Sequence, residues 1–163
     1  MMSTAIYPGS FDPITLGHLN IIRRASKIFD KVVVCVMVNS SKTPMFTLEE
    51  RVELIKRVVK RFPNVEVDTS SILLAEYVKR HKNAVLVKGL RAVSDFESEF
   101  QMAIINKKLN PKLETVFLTS SEKYTYISSS VVKEMAKYGA DLRELVPAEI
   151  LKDVIERSES YKR

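Results

Sequence analysis

Short runs of β-branched residues alternate along this chain with longer segments in which apolar residues recur every three or four positions. The short runs are typical of strands, and the longer segments are typical of amphipathic helices. This pattern predicts strands at residues 4–7, 32–38, 65–67, 85–87 and 115–118. Helices are predicted from about residue 16, from residue 48, over 75–79, 96–109 and 129–138, and from Pro147 to the end.

The order of these elements predicts the fold. Alternation of strand and helix favours a parallel sheet with helices on both faces, and right-handed crossovers make such a sheet doubly wound. The run at 32–38 is apolar at every position, as expected of a strand buried on both faces. No linker or repeat divides the chain. The sequence therefore predicts an α/β, Rossmann-like doubly wound parallel five-stranded sheet within a single domain over residues 1–163.

One helix start and its buried side can be read from the sequence. Thr47 and Glu50 have the spacing of a capping box, which marks the beginning of a helix. The helix that follows is predicted to bury Leu48, Val52, Ile55, Val58 and Phe62.

Composition narrows the class of protein. Apolar residues make up 45% and charged residues 28% of 163 residues, values typical of a soluble globular domain. The apolar run at 32–38 is too short to cross a bilayer, and the first residues lack the features of a signal peptide. We therefore expect a cytoplasmic protein that does not bind a membrane. The single cysteine, Cys35, lies in that run and is expected to be a buried hydrophobe.

The net charge of +6 allows several interpretations. Basic residues are spread over helical segments with acidic residues between them, so solvated helix faces explain most of them. An anionic small substrate would explain others. No nucleic-acid partner is expected, because the basic residues form no continuous block.

Candidate chemistry begins after the first strand. The segment from Tyr7 to His18 contains two prolines, and a helix is predicted to begin at its end. An oxyanion at that helix start would meet backbone N–H groups and the positive end of the helix dipole. Gly17 would permit close approach, and His18 could direct a ring N–H at the same anion. The alternative is a histidine that only packs or caps.

Other donors follow the later strands. Lys42 follows the second strand, and Lys88 and Arg91 follow the fourth, so with His18 they fall at the same edge of the predicted sheet. Serines at 128–130 open a late helix. They could be N-caps only, or they could donate to a phosphate.

These segments resemble a nucleotidyltransferase superfamily related to class I aminoacyl-tRNA synthetases. Its two motifs correspond here to Thr15-Leu-Gly-His18 and Ile127-Ser-Ser-Ser130. The longer strings at 7–15, 44–52, 89–97 and 126–134 resemble the phosphopantetheine adenylyltransferase family, and they extend over nearly the whole chain.

The resemblance implies a reaction. Members join ATP and 4′-phosphopantetheine to give dephospho-coenzyme A and pyrophosphate in coenzyme A synthesis. Mg²⁺ is the implied cofactor, carried by the ATP phosphates without protein ligands. Because the attacking phosphate is largely ionised at neutral pH, no strong general base is needed, and His18 is interpreted as a donor to the transition state. The resemblance also implies a homohexamer and feedback inhibition by coenzyme A.

The resemblance further implies residue roles. The catalytic residues would be His18, Lys42, Lys88 and Arg91. The phosphopantetheine site would comprise Ser10, Lys42, Leu74 and Lys88. The ATP site would comprise Ser10, Phe11, His18, Gly89, Leu90, Arg91, Glu99, Tyr124, Thr125, Tyr126, Ile127, Ser128, Ser129 and Ser130.

Two alternatives remain open from the sequence. One is another adenylyl- or cytidylyltransferase of the same superfamily, such as one that acts on nicotinamide mononucleotide. The other is a non-catalytic nucleotide-binding regulator or an RNA-binding module. The strings Gly89-Leu-Arg-Ala92 and Tyr126-Ile-Ser-Ser-Ser130 weigh against the first alternative. Four cationic or donor side chains at one sheet edge, without an aromatic-rich basic strand, weigh against the second.

Overall fold

A computed structural model gives the structure of the chain and describes residues 3–38, 41 and 43–160. The strands are β1 (Thr4–Gly9), β2 (Lys31–Met37), β3 (Val65–Ser70), β4 (Ala84–Leu90) and β5 (Thr115–Thr119). The α-helices are α1 (Leu16–Ile28), α2 (Leu48–Val59), α3 (Leu74–Val78), α4 (Val93–Leu109), α5 (Ser129–Lys137) and α6 (Leu151–Ser160). Short 3₁₀ turns span Glu122–Tyr124 and Ala148–Ile150.

The five strands form one parallel sheet in the order β3-β2-β1-β4-β5. The first three strands extend the sheet in one direction, and the chain then returns past β1 to add β4 and β5 on the other side. The order of the strands therefore reverses between β1 and β4, which is where ligands bind in sheets of this kind. The predicted Rossmann-like doubly wound α/β fold is confirmed.

Helices cover both faces of the sheet. In β1, Ala5 and Tyr7 belong to a large core cluster that includes side chains of α1, α2, α5 and α6. Ile6 belongs to a second cluster with side chains of α3 on the opposite face. This alternation is the period of a strand with both faces buried.

The ladder between β1 and β4 is shorter than its neighbours, and this opens a crevice. Strand β1 pairs with β2 along its whole length to Gly9, whereas it pairs with β4 only from Thr4 to Ile6. Pro8 has no N–H to contribute to a ladder. Beyond Ile6 the carboxyl ends of β1 and β4 are thus free to accommodate a ligand between them.

Two helices begin with capping boxes. The predicted pair is present in α2, where the Glu50 N–H donates to the Thr47 hydroxyl at 3.2 Å and the Thr47 N–H donates to the Glu50 carboxylate at 2.8 Å. Helix α1 has a second box, formed by Thr15 and His18. The sequence did not predict it, because the usual partner is Glu or Gln rather than His.

Several predicted boundaries are corrected. Strands β1 and β4 extend to Gly9 and Leu90, because Pro8 and Lys88 interrupt the apolar pattern without ending the strands. Helix α2 ends at Val59, so Phe62 packs against the core from beyond the helix. The pattern also missed buried side chains in α2, among them Arg51. Cys35 is buried as predicted. Among the described residues, no helix is long and apolar enough to cross a membrane.

Candidate active site

A cleft of about 390 Å³ opens at the carboxyl ends of β1 and β4, at the reversal of strand order. It is lined by the end of β1, the first turn of α1, the end of β4, one side of α4 and the start of α5. Its polar side chains include Tyr7, Ser10, Thr15, His18, Lys88, Arg91, Asp95, Glu99, Ser120, Ser128 and Ser129.

A larger groove of about 690 Å³ lies between α2 and α6. Five carboxylates line it, and two arginines accompany them. A net negative groove repels phosphorylated ligands, and it lies away from the carboxyl ends of the strands. The smaller cleft is therefore the candidate active site.

His18 occupies the first turn of α1, and its orientation is fixed by the capping box. The backbone N–H of Thr15 donates to Nδ1 of His18 at 3.0 Å, and the Thr15 hydroxyl lies 3.2 Å from the same nitrogen. Because Nδ1 accepts a hydrogen bond from an N–H group, it carries no proton itself. The ring proton of neutral His18 is therefore on Nε2.

His18 is held in the neutral form. Burial, together with the positive charge of Arg91, lowers the pKa of His18 from 6.5 to about 4. The ring of Phe11 packs against the imidazole edge to face, with the ring centroids 4.9 Å apart. A neutral imidazole whose Nδ1 is occupied can donate from Nε2, as the sequence predicted. The same ring also caps the helix. Capping is therefore observed, and donation to an anion stays a prediction.

The start of α1 is a smaller anion site than the sequence predicted. The Leu16 N–H donates to the Leu145 carbonyl at 2.9 Å, and the His18 N–H donates to the Thr15 hydroxyl. Among the described residues, none accepts from the Gly17 N–H, so this is the group that the first turn of α1 can offer.

Buried side chains fix the position of the loop after β1. Phe11 is buried with a positive φ of 46°. A side chain at Gly9 would lie 3.1 Å from the Phe11 ring, so glycine permits the close approach of that ring. Buried Arg51 donates through Nη1 to the carbonyl of Ser10 at 2.8 Å. These contacts place Ser10 at the cleft.

Asp12 joins three segments around the site. Its carboxylate accepts from the N–H groups of Met45 and Phe46 at 2.8 and 2.9 Å. It also pairs with Lys133 of α5 at 2.5 Å. The loop after β1, the segment after β2 and helix α5 are thereby connected. The predicted site residue Lys42 lies outside the described residues.

The two predicted cations of β4 and its following loop each have a carboxylate partner on α4. Lys88 Nζ lies 3.3 Å from Oε1 and 3.0 Å from Oε2 of Glu99. Only the contact with Oε1 has hydrogen-bond geometry, and the buried Oε2 accepts no hydrogen bond from the described residues. The Lys88 ammonium is thus held at the cleft by the Glu99 carboxylate.

Arg91 is held more rigidly. Its Nε and Nη2 donate to the two oxygens of Asp95 at 3.0 and 3.2 Å, and its Nη1 donates to the Ile127 carbonyl at 3.1 Å. Burial opposes ionisation of Asp95, but hydrogen bonds from Arg91 outweigh it and keep the Asp95 pKa below its ordinary value. Two of the five guanidinium N–H groups remain for a ligand.

The serine-rich segment offers a second helix start. Ser128 is the N-cap of α5 and accepts from the Val131 N–H at 3.1 Å, while the Ser129 hydroxyl donates to the Pro13 carbonyl at 2.8 Å. No described residue accepts from the backbone N–H groups of Ser129 and Ser130. The hydroxyls are structural here, and these two N–H groups are suited to a phosphate.

The structure brings most of the predicted site residues to this one cleft. They are Ser10, Phe11, His18, Lys88, Gly89, Arg91, Glu99, Ile127, Ser128 and Ser129. Other predicted residues do not line it: Leu74, Leu90, Tyr124, Thr125, Tyr126 and Ser130. Leu74 opens α3 and packs against the core cluster on the α3 face. The roles of all the predicted site residues, within the cleft or outside it, stay predictions.

Sequence reasoning missed four polar side chains of the cleft: Tyr7, Thr15, Asp95 and Ser120. Asp95 could have been found, because it stands four residues after Arg91, the spacing of an ion pair on a helix. Thr15 could have been found from its position three residues before His18. Tyr7 has no local signal other than its place at the end of a strand.

Three comparisons with known proteins agree with this geometry. The family model described as Cytidylyltransferase-like matches residues 6–135. A phosphopantetheine adenylyltransferase of Clostridium botulinum (strain Hall) is 56% identical over 153 residues, covering 94% of this chain and 93% of that protein. A phosphopantetheine adenylyltransferase of Caldanaerobacter subterraneus is 54% identical over 156 residues, covering 96% and 98%.

A solved structure shares the fold. A protein from Vibrio parahaemolyticus, assigned as a nicotinate-nucleotide adenylyltransferase, superposes with a TM-score of 0.68 over 95% of this chain and 99% of that chain. Its sequence identity is 19%, so this likeness bears on the fold alone.

The fold, the cleft at the strand reversal and the family model define a nucleotidyltransferase of the cytidylyltransferase-like class. Within that class, the family is decided by relatives that are identical to this chain at more than half of the aligned positions over nearly its full length. The chain belongs to the phosphopantetheine adenylyltransferase family.

Proposed function

We propose that this protein transfers the adenylyl group of ATP to 4′-phosphopantetheine, giving dephospho-coenzyme A and pyrophosphate. The observation that carries the proposal is the convergence of a neutral donor, His18, with Lys88 and Arg91 on one cleft. This convergence occurs in a chain 56% identical to a protein named for that transfer.

The chemical step follows from the substrates. A phosphate oxygen of 4′-phosphopantetheine attacks the α-phosphorus of ATP, and a new P–O bond forms as the bond to the β-phosphate breaks. Pyrophosphate leaves with the bonding electrons. Since the attacking phosphate has a second pKa of about 6, it is mostly ionised at neutral pH and needs no base. The protein must therefore align two polyanions and stabilise charge on the α-phosphoryl oxygens.

The described residues fit those tasks. His18 Nε2–H is a fixed neutral donor that adds no charge repulsion and requires no reorganisation during reaction. Arg91 has two N–H groups free for the ATP phosphates, and the backbone N–H of Ser129, which lines the cleft, is suited to the same phosphates. Lys88 supplies a point charge for the acceptor phosphate. Leu74 and Lys42 are proposed to complete the acceptor site.

Magnesium is proposed to enter with ATP. Within the described residues, no group of three His, Cys, Asp or Glu side chains is placed to hold a metal ion. The cleft carboxylates Asp95 and Glu99 are paired with Arg91 and Lys88. Because both carboxylates are engaged with cations, a metal ion held by the ATP phosphates fits this cleft. The magnesium complex of ATP is therefore the proposed substrate.

A pyrophosphate assay tests the proposed function. The protein is incubated with ATP and Mg²⁺ and, separately, with 4′-phosphopantetheine, nicotinamide mononucleotide, nicotinate mononucleotide or no acceptor. We expect pyrophosphate release with 4′-phosphopantetheine, with dephospho-coenzyme A formed in equal amount. Release with a mononucleotide alone would assign the chain to another reaction of the same class.

A site variant provides the control for that assay. His18→Ala removes the Nε2–H donor, and we expect kcat to fall by about 10²-fold or more, as for loss of an oxyanion donor. A variant with wild-type kcat and altered KM only would contradict the role given to His18.

Assembly, regulation and location are further proposals. Helix α4 exposes apolar side chains to solvent in the single chain, which supports self-association. They are Phe96, Phe100, Met102, Ile104, Ile105 and Leu109. We propose the homohexamer implied by the family, inhibition by coenzyme A as the end product, and action in the cytoplasm.

A further inference from the structure

The side chain of Tyr7 is buried at the inner wall of the cleft. Tyr7 stands on β1 just beyond Ile6, where pairing with β4 ends. Its side chain is 6% exposed, and it lines the cleft. The ring lies 5.3 Å from that of Phe11 and 6.3 Å from that of His18, centroid to centroid, both edge to face. The ring position is therefore fixed on the side where His18 lies.

The Tyr7 hydroxyl lies beside Gly89 of β4. A Cβ atom built at Gly89 would lie 3.9 Å from that oxygen and 3.1 Å from the Ile21 side chain. The phenol thus reaches the end of β4, next to the residue between Lys88 and Leu90. Tyr7 lines the same cleft as the charged side chains of Arg91 and Glu99.

The Tyr7 hydroxyl has no hydrogen-bond partner among the described residues. Buried tyrosine hydroxyls usually have one, because an unmet donor loses its interaction with water. Tyr77 shows the usual case in this protein: it is 2% exposed, and its hydroxyl donates to Asp68 at 2.6 Å. An unmet hydroxyl that faces a cleft is instead available to a ligand.

The Tyr7 hydroxyl keeps its proton at all working pH values. Burial raises the pKa of Tyr7 far above its ordinary value; the charge of Arg91 opposes this shift and the charge of Glu99 adds to it. Tyr7 is therefore a neutral donor, as His18 is. A neutral donor among cations is suited to a phosphate oxygen, which carries the acceptor lone pairs.

We propose that the Tyr7 hydroxyl donates a hydrogen bond to a phosphate oxygen of a bound substrate, as a second neutral donor beside His18. The inference rests on the proposed function, since that function supplies the phosphates. Two sources share this chemistry, the phosphates of ATP and the phosphate of the acceptor, and the experiment separates them.

Tyr7→Phe removes the hydroxyl and keeps the ring. Three quantities are measured for this variant and for the wild type: the Kd of magnesium-ATP alone, the Kd of 4′-phosphopantetheine alone, and kcat. A hydrogen bond to a charged group corresponds to a loss of roughly tenfold or more in the affected quantity. A change in the first Kd assigns the bond to ATP, and a change in the second assigns it to the acceptor. A change in kcat alone assigns it to the transition state.

Tyr77→Phe is the matched control, because it removes a hydroxyl that is bonded within the protein and lies away from the cleft. We expect Tyr77→Phe to lower Tm and to leave the three quantities within twofold of wild type. Tyr7→Phe should leave Tm without ligand unchanged or higher, since no protein bond is lost. This opposite response separates a ligand contact from a structural role.

Values for Tyr7→Phe within twofold of wild type in all three measurements overturn the inference. Failure of the proposed function is a different result: the wild-type protein would then release no pyrophosphate with 4′-phosphopantetheine. In that case the Kd of magnesium-ATP decides the inference, because it requires no turnover. An unchanged Kd then overturns it, and a weaker Kd supports it.

Discussion

At the scale of single residues, the site works by fixing protonation states rather than by moving protons. Nδ1 of His18 accepts a hydrogen bond from the Thr15 N–H, so the ring proton is on Nε2. Tyr7 keeps its proton because burial opposes the charged form. Both groups reach the reaction as neutral donors, so the positive charge of the cleft comes from Lys88 and Arg91 alone among the described lining residues.

The lowered pKa of His18 predicts a pH dependence of stability. The unfolded chain binds a proton on this ring near pH 6.5, whereas the folded chain binds it only near pH 4. As pH falls from 7, the unfolded state gains a proton that the folded state does not, so the free energy of unfolding decreases until about pH 4. By pH 5 the loss from this group is on the order of 2 kcal/mol.

His18→Gln isolates that contribution. Glutamine can accept from the Thr15 N–H as a capping-box partner but does not titrate. Urea unfolding at pH 7 and pH 5 should therefore show a smaller loss in the variant than in the wild type. Equal losses in the two proteins would mean that folding does not perturb the His18 pKa.

The Asp95 carboxylate positions Arg91, which predicts the effect of neutralising it. Asp95→Asn removes the charge that holds Nε and Nη2 of the guanidinium. We expect the KM for ATP to rise roughly tenfold, because an arginine that is no longer pre-oriented must be ordered by the substrate. Asp95→Glu should recover part of the loss.

The chain offers a matched control for Asp95. Asp141 makes a similar pair with Arg143 on the exposed surface, away from the cleft. Asp141→Asn should leave the KM for ATP and kcat at their wild-type values. The positioning role of Asp95 is wrong if both asparagine variants give wild-type steady-state kinetics.

At the scale of elements, α1 and α2 begin with similar capping boxes that have different roles. The box of Thr47 and Glu50 begins α2 and is further fixed by Arg157, which pairs with Glu50 and donates to the Met45 carbonyl at 2.8 Å. The box of Thr15 and His18 begins α1 and also fixes the donor of the site. The box of α2 has a structural role only. The box of α1 both stabilises the helix and orients the proposed catalytic donor.

This difference predicts distinct effects of one substitution at two positions. Thr47→Ala and Thr15→Ala should each lower the free energy of unfolding by about 1 kcal/mol, the usual cost of losing a cap. Only Thr15→Ala should also lower kcat, severalfold, because the hydroxyl 3.2 Å from His18 Nδ1 is lost. Urea unfolding and pyrophosphate release measure the two effects. Equal kcat in both variants would contradict the link between α1 and the reaction.

Most elements could be predicted because their signals are local. A run such as 32–38 specifies a buried strand by composition, and Thr47 with Glu50 specifies a helix start by spacing. Strand ends were harder to predict, since Pro8 and Lys88 break the apolar pattern while the ladder to one neighbour continues. Whether a strand continues depends on its neighbour, which a single segment does not reveal.

The site was predictable to a similar extent. His18, Lys88 and Arg91 could be placed together because parallel strands put their carboxyl ends at one edge. Their partners could not be predicted, because Glu99 meets Lys88 only after α4 packs beside β4. The unmet hydroxyl of Tyr7 likewise depends on where β1 and β4 separate, and that point is set by the three-dimensional pairing.

At the scale of the whole molecule, the two sides of α4 have opposite surroundings. Its first turns carry Asp95 and Glu99 into the cleft, while apolar side chains along the helix face solvent in the single chain. The stacked rings of Phe96 and Phe100, with centroids 5.5 Å apart, lie on the same helix as Ile104, which is 55% exposed. Covering this surface with another copy would remove it from water and also fix the helix that holds both cations.

A charge placed on this surface tests that connection. Ile104→Lys should reduce the mass of the wild-type assembly in solution, six chains in the proposed hexamer, toward that of a single chain, because an unpaired charge opposes burial. Ile28→Lys, at a position 59% exposed on α1, is the matched control and should keep the wild-type mass. Loss of assembly should also raise the KM for ATP, since α4 then holds Arg91 through Asp95 less firmly. A wild-type protein that is already a single chain by mass photometry would refute the assembly. If Ile104→Lys dissociates the assembly but leaves the kinetics unchanged, α4 is an interface that does not affect the site.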